Sequence, residues 1–140
     1  MRLRVAVVSA VWLLCASAQQ TQPASVWDGI YTDAQASRGE SVYRQNCASC
    51  HGEKLEGLGQ TPALTGDEFV STWNGMSVGD LFDQMQSTMP ADRPGQLSGA
   101  QNADILAYLL KFSSFPTGQT ELPADSDKLK RIRFEAKRRN

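Results

Sequence analysis

A short run of five residues, Cys47-Ala48-Ser49-Cys50-His51, constrains this chain more than any other feature. Two cysteines three positions apart fall on one side of a helical turn, so both thiols can form thioether bonds to the two vinyl groups of one porphyrin. The histidine that follows directly is then held beneath the iron and can supply an imidazole nitrogen as one axial ligand. The spacing therefore predicts one covalently attached haem c, bound through Cys47 and Cys50 and ligated by His51.

Three other uses of the two cysteines are alternatives to the haem. A dithiol redox motif is expected near a β-α-β pattern, and the sequence shows no such alternation of strands and helices. A plain disulfide would suit an oxidising compartment. A zinc site needs about four ligands, whereas only these two cysteines and one histidine remain once an N-terminal signal is removed. The motif therefore favours the haem over all three.

The N-terminus has the organisation of a secretory signal peptide. Arg2 and Arg4 form a charged region, residues 5–14 form an apolar region, and small residues precede a cleavage site that we expect after Ala18. A signal peptide of residues 1–18 predicts export to the periplasm and would remove Cys15 from the mature chain. An uncleaved anchor is the alternative, although the apolar region is short for a membrane span of about 20 residues.

Charge is unevenly distributed along the mature chain. Residues 19–127 contain five basic and 14 acidic residues, a net charge of −9, whereas residues 128–140 contain seven basic residues and one glutamate, a net charge of +6. No aromatic residues are interleaved with basic residues in the body of the chain, so nucleic acid is not an expected partner. The basic tail either docks onto an acidic partner or an anionic membrane, or it is a solubilising, disordered end.

Helix signals follow one another along the chain, and no β pattern or internal repeat is present. Residue pairs with the spacing of a capping box predict three helix starts, at Thr32 with Gln35, Thr65 with Glu68 and Ser98 with Gln101, and a further helix is predicted to start at residues 77–80. This further helix has to stop before Pro90. Gly39 is a poor helix former, and its position four residues before Tyr43 predicts that another helix crosses closely there.

The chain closely resembles a class I cytochrome c over roughly residues 34–113. The resemblance rests on the first helix, the haem motif, the Pro62-Ala63-Leu64 segment, the Thr88-Met89-Pro90 loop and the helix at residues 103–109. It implies an all-α class I cytochrome c fold, in which three to five helices surround one covalently bound haem. The flanking segments are similar to those of small periplasmic mono-haem cytochromes c associated with quinoprotein dehydrogenases. The predicted segments are a signal peptide (1–18), an N-terminal linker and arm (19–33), a cytochrome c domain (34–115) and a C-terminal extension with the basic tail (116–140).

The second axial ligand of the iron has to be another residue type, because His51 is the only histidine. Methionine is the usual remaining choice, and it raises the reduction potential relative to histidine. Met85 lies in the apolar stripe of its helix, where methionine more often fills a core, and Met76 has no extended loop after it. Met89 follows a helix end and precedes Pro90, and the resemblance points to the same Met-Pro position. Met89 is therefore the predicted ligand, with Met76, Met85 and an open site as alternatives.

Three further site residues are implied by the resemblance. It assigns the carbonyl of Pro62 as the acceptor for the other ring nitrogen of His51, an arrangement that orients metal-bound histidines. Without that role, Pro62 is a turn proline. Leu64 is implied to pack on the haem. Trp73 is implied to reach a haem propionate, and ordinary core filling is its alternative role.

These residues together predict a one-electron carrier rather than an enzyme. Iron held by His51 and Met89 has six ligands in both redox states and leaves no open position for a substrate. The expected partners are a periplasmic dehydrogenase as electron donor and an oxidase or another cytochrome as acceptor, met through a small, transient interface. A fixed subunit of a dehydrogenase complex and a haem-based gas or redox sensor are the alternatives. The protein is expected to be a monomer or a subunit of a complex.

Overall fold

The computed structural model describes residues 24–139, so the expected signal peptide and the first linker residues lie outside the described part of the chain. A 3-10 turn at Val26–Asp28 precedes the helices, and two short strands, β1 (Ala24–Ser25) and β2 (Ile132–Arg133), pair in parallel. The helices are α1 (Asp33–Asn46), α2 (Ala48–His51), α3 (Gly66–Trp73), α4 (Val78–Thr88), α5 (Gly99–Phe112) and α6 (Ser126–Leu129). The all-α prediction is confirmed, with α2 and α6 only four residues long. Within residues 24–139, no helix has the length and apolar character that crossing a membrane requires.

All four predicted helix starts are found, with the predicted capping box at Ser98 and a capping box also at Ser77. The hydroxyls of Ser77 and Ser98 accept hydrogen bonds from the backbone N–H groups of Asp80 and Gln101, at 3.0 and 3.2 Å. The side chains of these two N3 residues accept a hydrogen bond from the cap N–H in return, at 2.8 and 2.9 Å. Each box therefore satisfies two donors at the start of α4 and of α5.

The capping-box prediction is wrong at Thr32 and Thr65. Thr32 accepts a hydrogen bond from the N–H of Gln35 at 3.1 Å, as expected for an N-cap. The buried amide of Gln35, however, donates to the carbonyl of Leu122 at 3.0 Å and accepts from the N–H of Leu122 at 2.8 Å. Thr65 precedes α3 without any hydrogen bond from its side chain to the helix. Gln35 thus satisfies two backbone groups of a distant segment, which buried backbone requires.

Helices α1 and α5 cross in close contact and form the centre of the core. A Cβ atom at Gly39 would overlap the carbonyl group of Asp104 on α5. Tyr43, one turn further along α1, packs against Tyr108 with 5.4 Å between the ring centroids. The close crossing that Gly39 and Tyr43 predicted is therefore confirmed, and it lets α5 bury all of residues 105–110.

The C-terminal segment is folded onto this core. Leu122, Leu129 and Phe134 are buried, and the ring of Phe134 lies edge-on to Phe69 and Phe115, with centroid distances of 6.2 and 5.4 Å. Leu129 and Phe134 belong to the basic tail, so the interpretation of the tail as a disordered end is wrong for residues 128–134. Each of these two residues lies between two charged residues, and neither lies in a run of apolar residues that would have indicated burial.

Candidate functional site

The motif from Cys47 to His51 lies where α1 ends and α2 begins. Cys47 is the residue between the two helices, and its carbonyl accepts hydrogen bonds from the N–H groups of Cys50 and His51 at 3.1 and 2.9 Å. Both cysteines are free thiols, with Cys47 half-buried and Cys50 exposed. The two thiols therefore lie on one helical turn, as attachment to a single porphyrin requires.

His51 is buried, with 6% of its surface exposed, and its ring is fixed by one hydrogen bond. The Nδ1–H of His51 donates to the carbonyl oxygen of Pro62 at 2.8 Å. A carbonyl can only accept, so this contact places a proton on Nδ1, and in the neutral ring the lone pair is then on Nε2. Nε2 makes no hydrogen bond with any residue between 24 and 139. An imidazole oriented through one nitrogen and free at the other is arranged as a metal ligand.

A glycine-rich loop between α2 and α3 carries Pro62 to this position. The N–H of Gly57 donates to the carbonyl of His51 at 2.8 Å, which closes the loop against the end of α2. Gly57 has a φ of +76°, and a Cβ there would lie 2.9 Å from the carbonyl carbon of Pro62. Leu55 is fully buried, and its carbonyl accepts from the N–H of Leu64 at 2.8 Å. Only glycine allows this approach of backbone to backbone at residue 57.

Tyr43 supports the same turn from α1 through a contact that the sequence did not indicate. Its hydroxyl donates to the carbonyl of Gly52 at 2.7 Å in the buried interior. Burial raises the pKa of Tyr43 above its usual value, so the phenol stays protonated and remains a donor. The spacing of Tyr43 and Gly39 indicated helix packing only, and no local pattern distinguishes a packed tyrosine from one that also caps a turn.

The environment of the cysteines disfavours two of the alternatives to a haem, the redox dithiol and the zinc site. Burial, together with the neighbouring Cys50, raises the pKa of the Cys47 thiol to about 11. A redox-active dithiol needs the opposite shift, because the thiolate is the attacking species. Across residues 24–139, no group of three or more histidine, cysteine, aspartate or glutamate side chains is placed to hold a metal ion. A zinc site of about four such ligands is therefore not assembled in this part of the chain.

Leu64 and Trp73 both present apolar surface that the protein itself covers only in part. Each side chain is half-buried and packs against the hydrophobic core. The indole N–H of Trp73 has no hydrogen-bond acceptor within the described residues. This N–H is not among the buried unpartnered atoms of the described residues, so it is open to solvent or to a ligand.

The three methionines of the described chain occupy different environments. Met89 is the first residue after α4, with extended backbone angles of φ −120° and ψ 149°, and it is half-buried. Met85 packs against the core from within α4. The side chain of Met76 is 43% exposed, and its backbone is held by hydrogen bonds with Trp73 and Phe134 at 3.0 and 2.9 Å. The assignment of Met89 as a ligand stays a prediction.

Residues 34–109, more than half of the chain, match the family model described as cytochrome c oxidase, cbb3-type, subunit III. The chain belongs to this cytochrome c family. It is 34% identical over 88 residues to cytochrome c-551 of Bacillus subtilis (strain 168), an alignment that covers 61% of this chain and 68% of that protein. Both the family assignment and the predicted relationship to class I cytochromes c are therefore confirmed.

Two further similarities concern larger proteins. The chain is 29% identical over 93 residues to the cytochrome c subunit of the cytochrome bc1 complex of Corynebacterium diphtheriae (strain ATCC 700971 / NCTC 13129 / Biotype gravis), covering 64% of this chain but only 31% of that one. The sulfane dehydrogenase SoxCD from Paracoccus pantotrophus has a similar fold, with a TM-score of 0.51 and 20% sequence identity over 77% of this chain and 61% of that one. At that identity the second similarity concerns the fold alone.

Membership of the cytochrome c family implies a covalent haem c and haem-based electron transfer. The donor set of this cytochrome c fits that group. Two free thiols share one turn with a histidine whose ring is already oriented, and half-buried apolar side chains border the same core. The relatives are themselves cytochromes, which carry electrons.

Proposed function

We propose that this cytochrome c is a periplasmic one-electron carrier between a dehydrogenase and a respiratory acceptor. The observation that carries the proposal is the hydrogen bond between His51 and Pro62 at 2.8 Å, beside two free cysteines with haem-attachment spacing. It leaves one imidazole nitrogen free and fixed in direction, which a histidine ligand of iron needs. Periplasmic location rests on the signal peptide expected at residues 1–18.

Haem c supplies a one-electron Fe(III)/Fe(II) couple when it is bound. Cys47 and Cys50 would hold the group through two thioethers, and His51 would be one ligand of its iron. Met89, at a position where the chain has just left helical geometry, would be the other. With two ligands supplied by the protein, no position would remain for a substrate, so the residues favour electron transfer over catalysis.

Two residues complete the site. Leu64 would cover apolar surface of the bound group and exclude water, which its half-buried position against the core supports. Trp73 would donate its indole N–H, which has no acceptor within residues 24–139, to a carboxylate of the group. A hydrogen bond of this kind stabilises a carboxylate that would otherwise be poorly solvated.

Replacing Met89 by alanine tests the proposed ligation. We expect the Met89→Ala protein to keep its covalent haem, to change its absorption spectrum in both redox states and to bind carbon monoxide when reduced. Its reduction potential should fall, because a thioether ligand raises that potential. Spectra, potentiometry and carbon monoxide titration at neutral pH measure these changes.

Met76→Ala is the matched control, because it removes an exposed methionine whose backbone is held independently. It should leave the spectrum unchanged. An unchanged spectrum in Met89→Ala would reject the ligand, and a changed spectrum in Met76→Ala would move the assignment there. Carbon monoxide binding by the wild-type protein as fast as by Met89→Ala would favour a gas sensor instead.

A fixed place in a larger complex is the second candidate, because one relative is named as a subunit of the cytochrome bc1 complex. A carrier should purify from the periplasm as a separate protein. Copurification with a larger enzyme through several columns would favour the fixed subunit.

The exposed cations of the C-terminal segment support docking onto an acidic partner. Arg131, Lys137 and Arg138 are exposed and make no ion pair within the described residues, while the body of the chain has a net charge of −9. Replacing all three by glutamine should slow electron transfer to respiratory membranes of the source organism by about tenfold at low ionic strength. The difference should disappear at high salt, where charges are screened.

A control with the same change in net charge is available on the body. Arg44, Lys54 and Arg93 are also exposed cations, and replacing them by glutamine should leave the rate within about twofold of wild type. Equal slowing in both triple variants would show that net charge matters and that the C-terminal surface does not dock.

A further inference from the structure

The C-terminal segment is attached to the core at both of its ends. We call residues 122–134 the strap. At its start, both backbone groups of Leu122 bond to the buried side chain of Gln35 on α1. At its end, the N–H of Phe134 donates to the carbonyl of Met76 at 2.9 Å, in the turn before α4. The strap therefore spans from α1 to the base of α4.

Between these anchors, α6 of the strap lies directly against α4. A Cβ atom at Gly79 would lie 2.6 Å from the backbone nitrogen of Lys130 and 2.9 Å from the carbonyl oxygen of Ser126. These atoms are backbone, so the two helices are in contact main chain to main chain. One turn further along α4, the carboxylate of Asp83 pairs with the ammonium group of Lys130 at 2.9 Å. The fully buried Leu129 completes the contact.

The other end of α4 carries the proposed ligand. Met89 follows α4 directly, and its N–H donates to the carbonyl of Met85 at 2.9 Å, so its backbone is continuous with the last helical turn. Backbone hydrogen bonds close every turn of an α-helix, so α4 is one hydrogen-bonded unit from Val78 to Thr88. The place of Met89 therefore depends on how α4 is held at its first turn, where Gly79 lies.

The strap makes no comparable contact with the other side of the site. Among the described residues, no hydrogen bond, ion pair or ring contact joins the strap to residues 47–64. His51 is held by Pro62 and by the loop that follows α2. The contact of α6 with α4 and the contacts that hold His51 are therefore made by different residues.

We infer that the strap is a positioning element for the second axial ligand, because the contact of α6 with Gly79 fixes α4 and thereby Met89. This inference rests on the proposed ligation by Met89. Ligand geometry at a metal is held within about 0.5 Å by residues locked in place around it. A small displacement of α4 would then be enough to withdraw the sulfur of Met89 from the iron. The thioether bonds of Cys47 and Cys50 and the ligand His51 would persist.

Gly79→Ala tests the inference, because the added methyl group has to push α6 away from α4. We expect the full-length holoprotein to keep one covalent haem per chain and to lose part of its methionine ligation. The reduced protein should bind carbon monoxide on the order of tenfold faster than wild type, since more molecules have an open position. Gln86→Ala, on the exposed side of α4, is the matched control and should behave as wild type.

Leu129→Ala gives a second variant that leaves α4 unaltered, should Gly79→Ala fail to accumulate. It removes buried side-chain atoms of the strap and should produce the same spectral change and faster carbon monoxide binding. Thermal unfolding, followed by far-UV circular dichroism, separates ligand release from unfolding.

Two results overturn the inference in distinguishable ways. In the first, Gly79→Ala or Leu129→Ala protein folds with a lower Tm but keeps the wild-type spectrum, reduction potential and rate of carbon monoxide binding. The strap would then have only a structural role, while the effect of Met89→Ala remained. A wild-type spectrum in Met89→Ala would reject the proposed ligation itself, and the strap's role with it.

Discussion

A variant in which both Cys47 and Cys50 are replaced by alanine will contain no covalently bound haem when it is produced in a host able to attach the cofactor. The two thiols are free in the structure and lie on one turn with His51. No other cysteine lies within residues 24–139, so the described chain has no substitute for either bond. Mass spectrometry of the denatured protein should find wild type heavier than its polypeptide by one haem and the double variant at the polypeptide mass.

Ser49→Ala provides the control for this experiment. Ser49 lies between the cysteines and is exposed. Its hydroxyl donates a hydrogen bond to the sulfur of Cys50 at 3.9 Å. It should retain one haem per chain. Wild-type protein that came out colourless, with both thiols open to alkylation, would contradict the whole account of the site.

The structural features that the sequence predicted correctly carry local signals. The helix starts at Ser77 and Ser98 depend on caps that act within one turn. Gly39 is costly in an isolated helix, so its position indicated a close crossing before the partner helix was known. In each case the cause of the structure lies within a few residues of the pattern.

The features that the sequence did not indicate depend on distant contacts. Gln35 has the spacing of a capping box, but its amide pairs with Leu122, 87 positions away. Phe134 lies in a strongly charged stretch, yet it packs between two aromatic rings of the core. Neither partner is visible in a window of helical or strand period. Tertiary packing overrides local preference at such positions, as it does when propensity and burial conflict.

The contact of Pro62 with His51 was implied by the resemblance to class I cytochromes c and not by residue spacing. Pro62 follows His51 by eleven positions, and the loop between them has no repeating pattern. Its path is set by Gly57 at positive φ and by the buried Leu55. A glycine-rich composition indicates a loop but gives no direction for it.

Replacing Gly39 by alanine will lower the free energy of unfolding, although alanine is the better helix former by about 1 kcal/mol. The methyl group would overlap the carbonyl of Asp104 and lie 3.0 Å from the backbone nitrogen of Ile105. Both are backbone atoms of α5, so no side chain can rotate away and the two helices have to separate. Overpacking of this kind costs about 3 kcal/mol, and we expect a net loss of about 2 kcal/mol after the gain in helix propensity. That is a large fraction of the stability of a small domain, which is about 5–15 kcal/mol.

Urea unfolding of the holoprotein measures this loss. The midpoint urea concentration should fall, while the slope of the free energy of unfolding against urea concentration stays unchanged. Ser41→Ala is the control, because Ser41 is exposed on the same helix and its replacement should change the free energy of unfolding by less than about 0.5 kcal/mol. A more stable Gly39→Ala protein would mean that helix propensity dominates at this position and that the crossing of α1 and α5 accommodates an added methyl group. A loss confined to Gly39→Ala would instead establish that the crossing is closed to any side chain, and that the end of α1, where Cys47 lies, is placed by contact with α5.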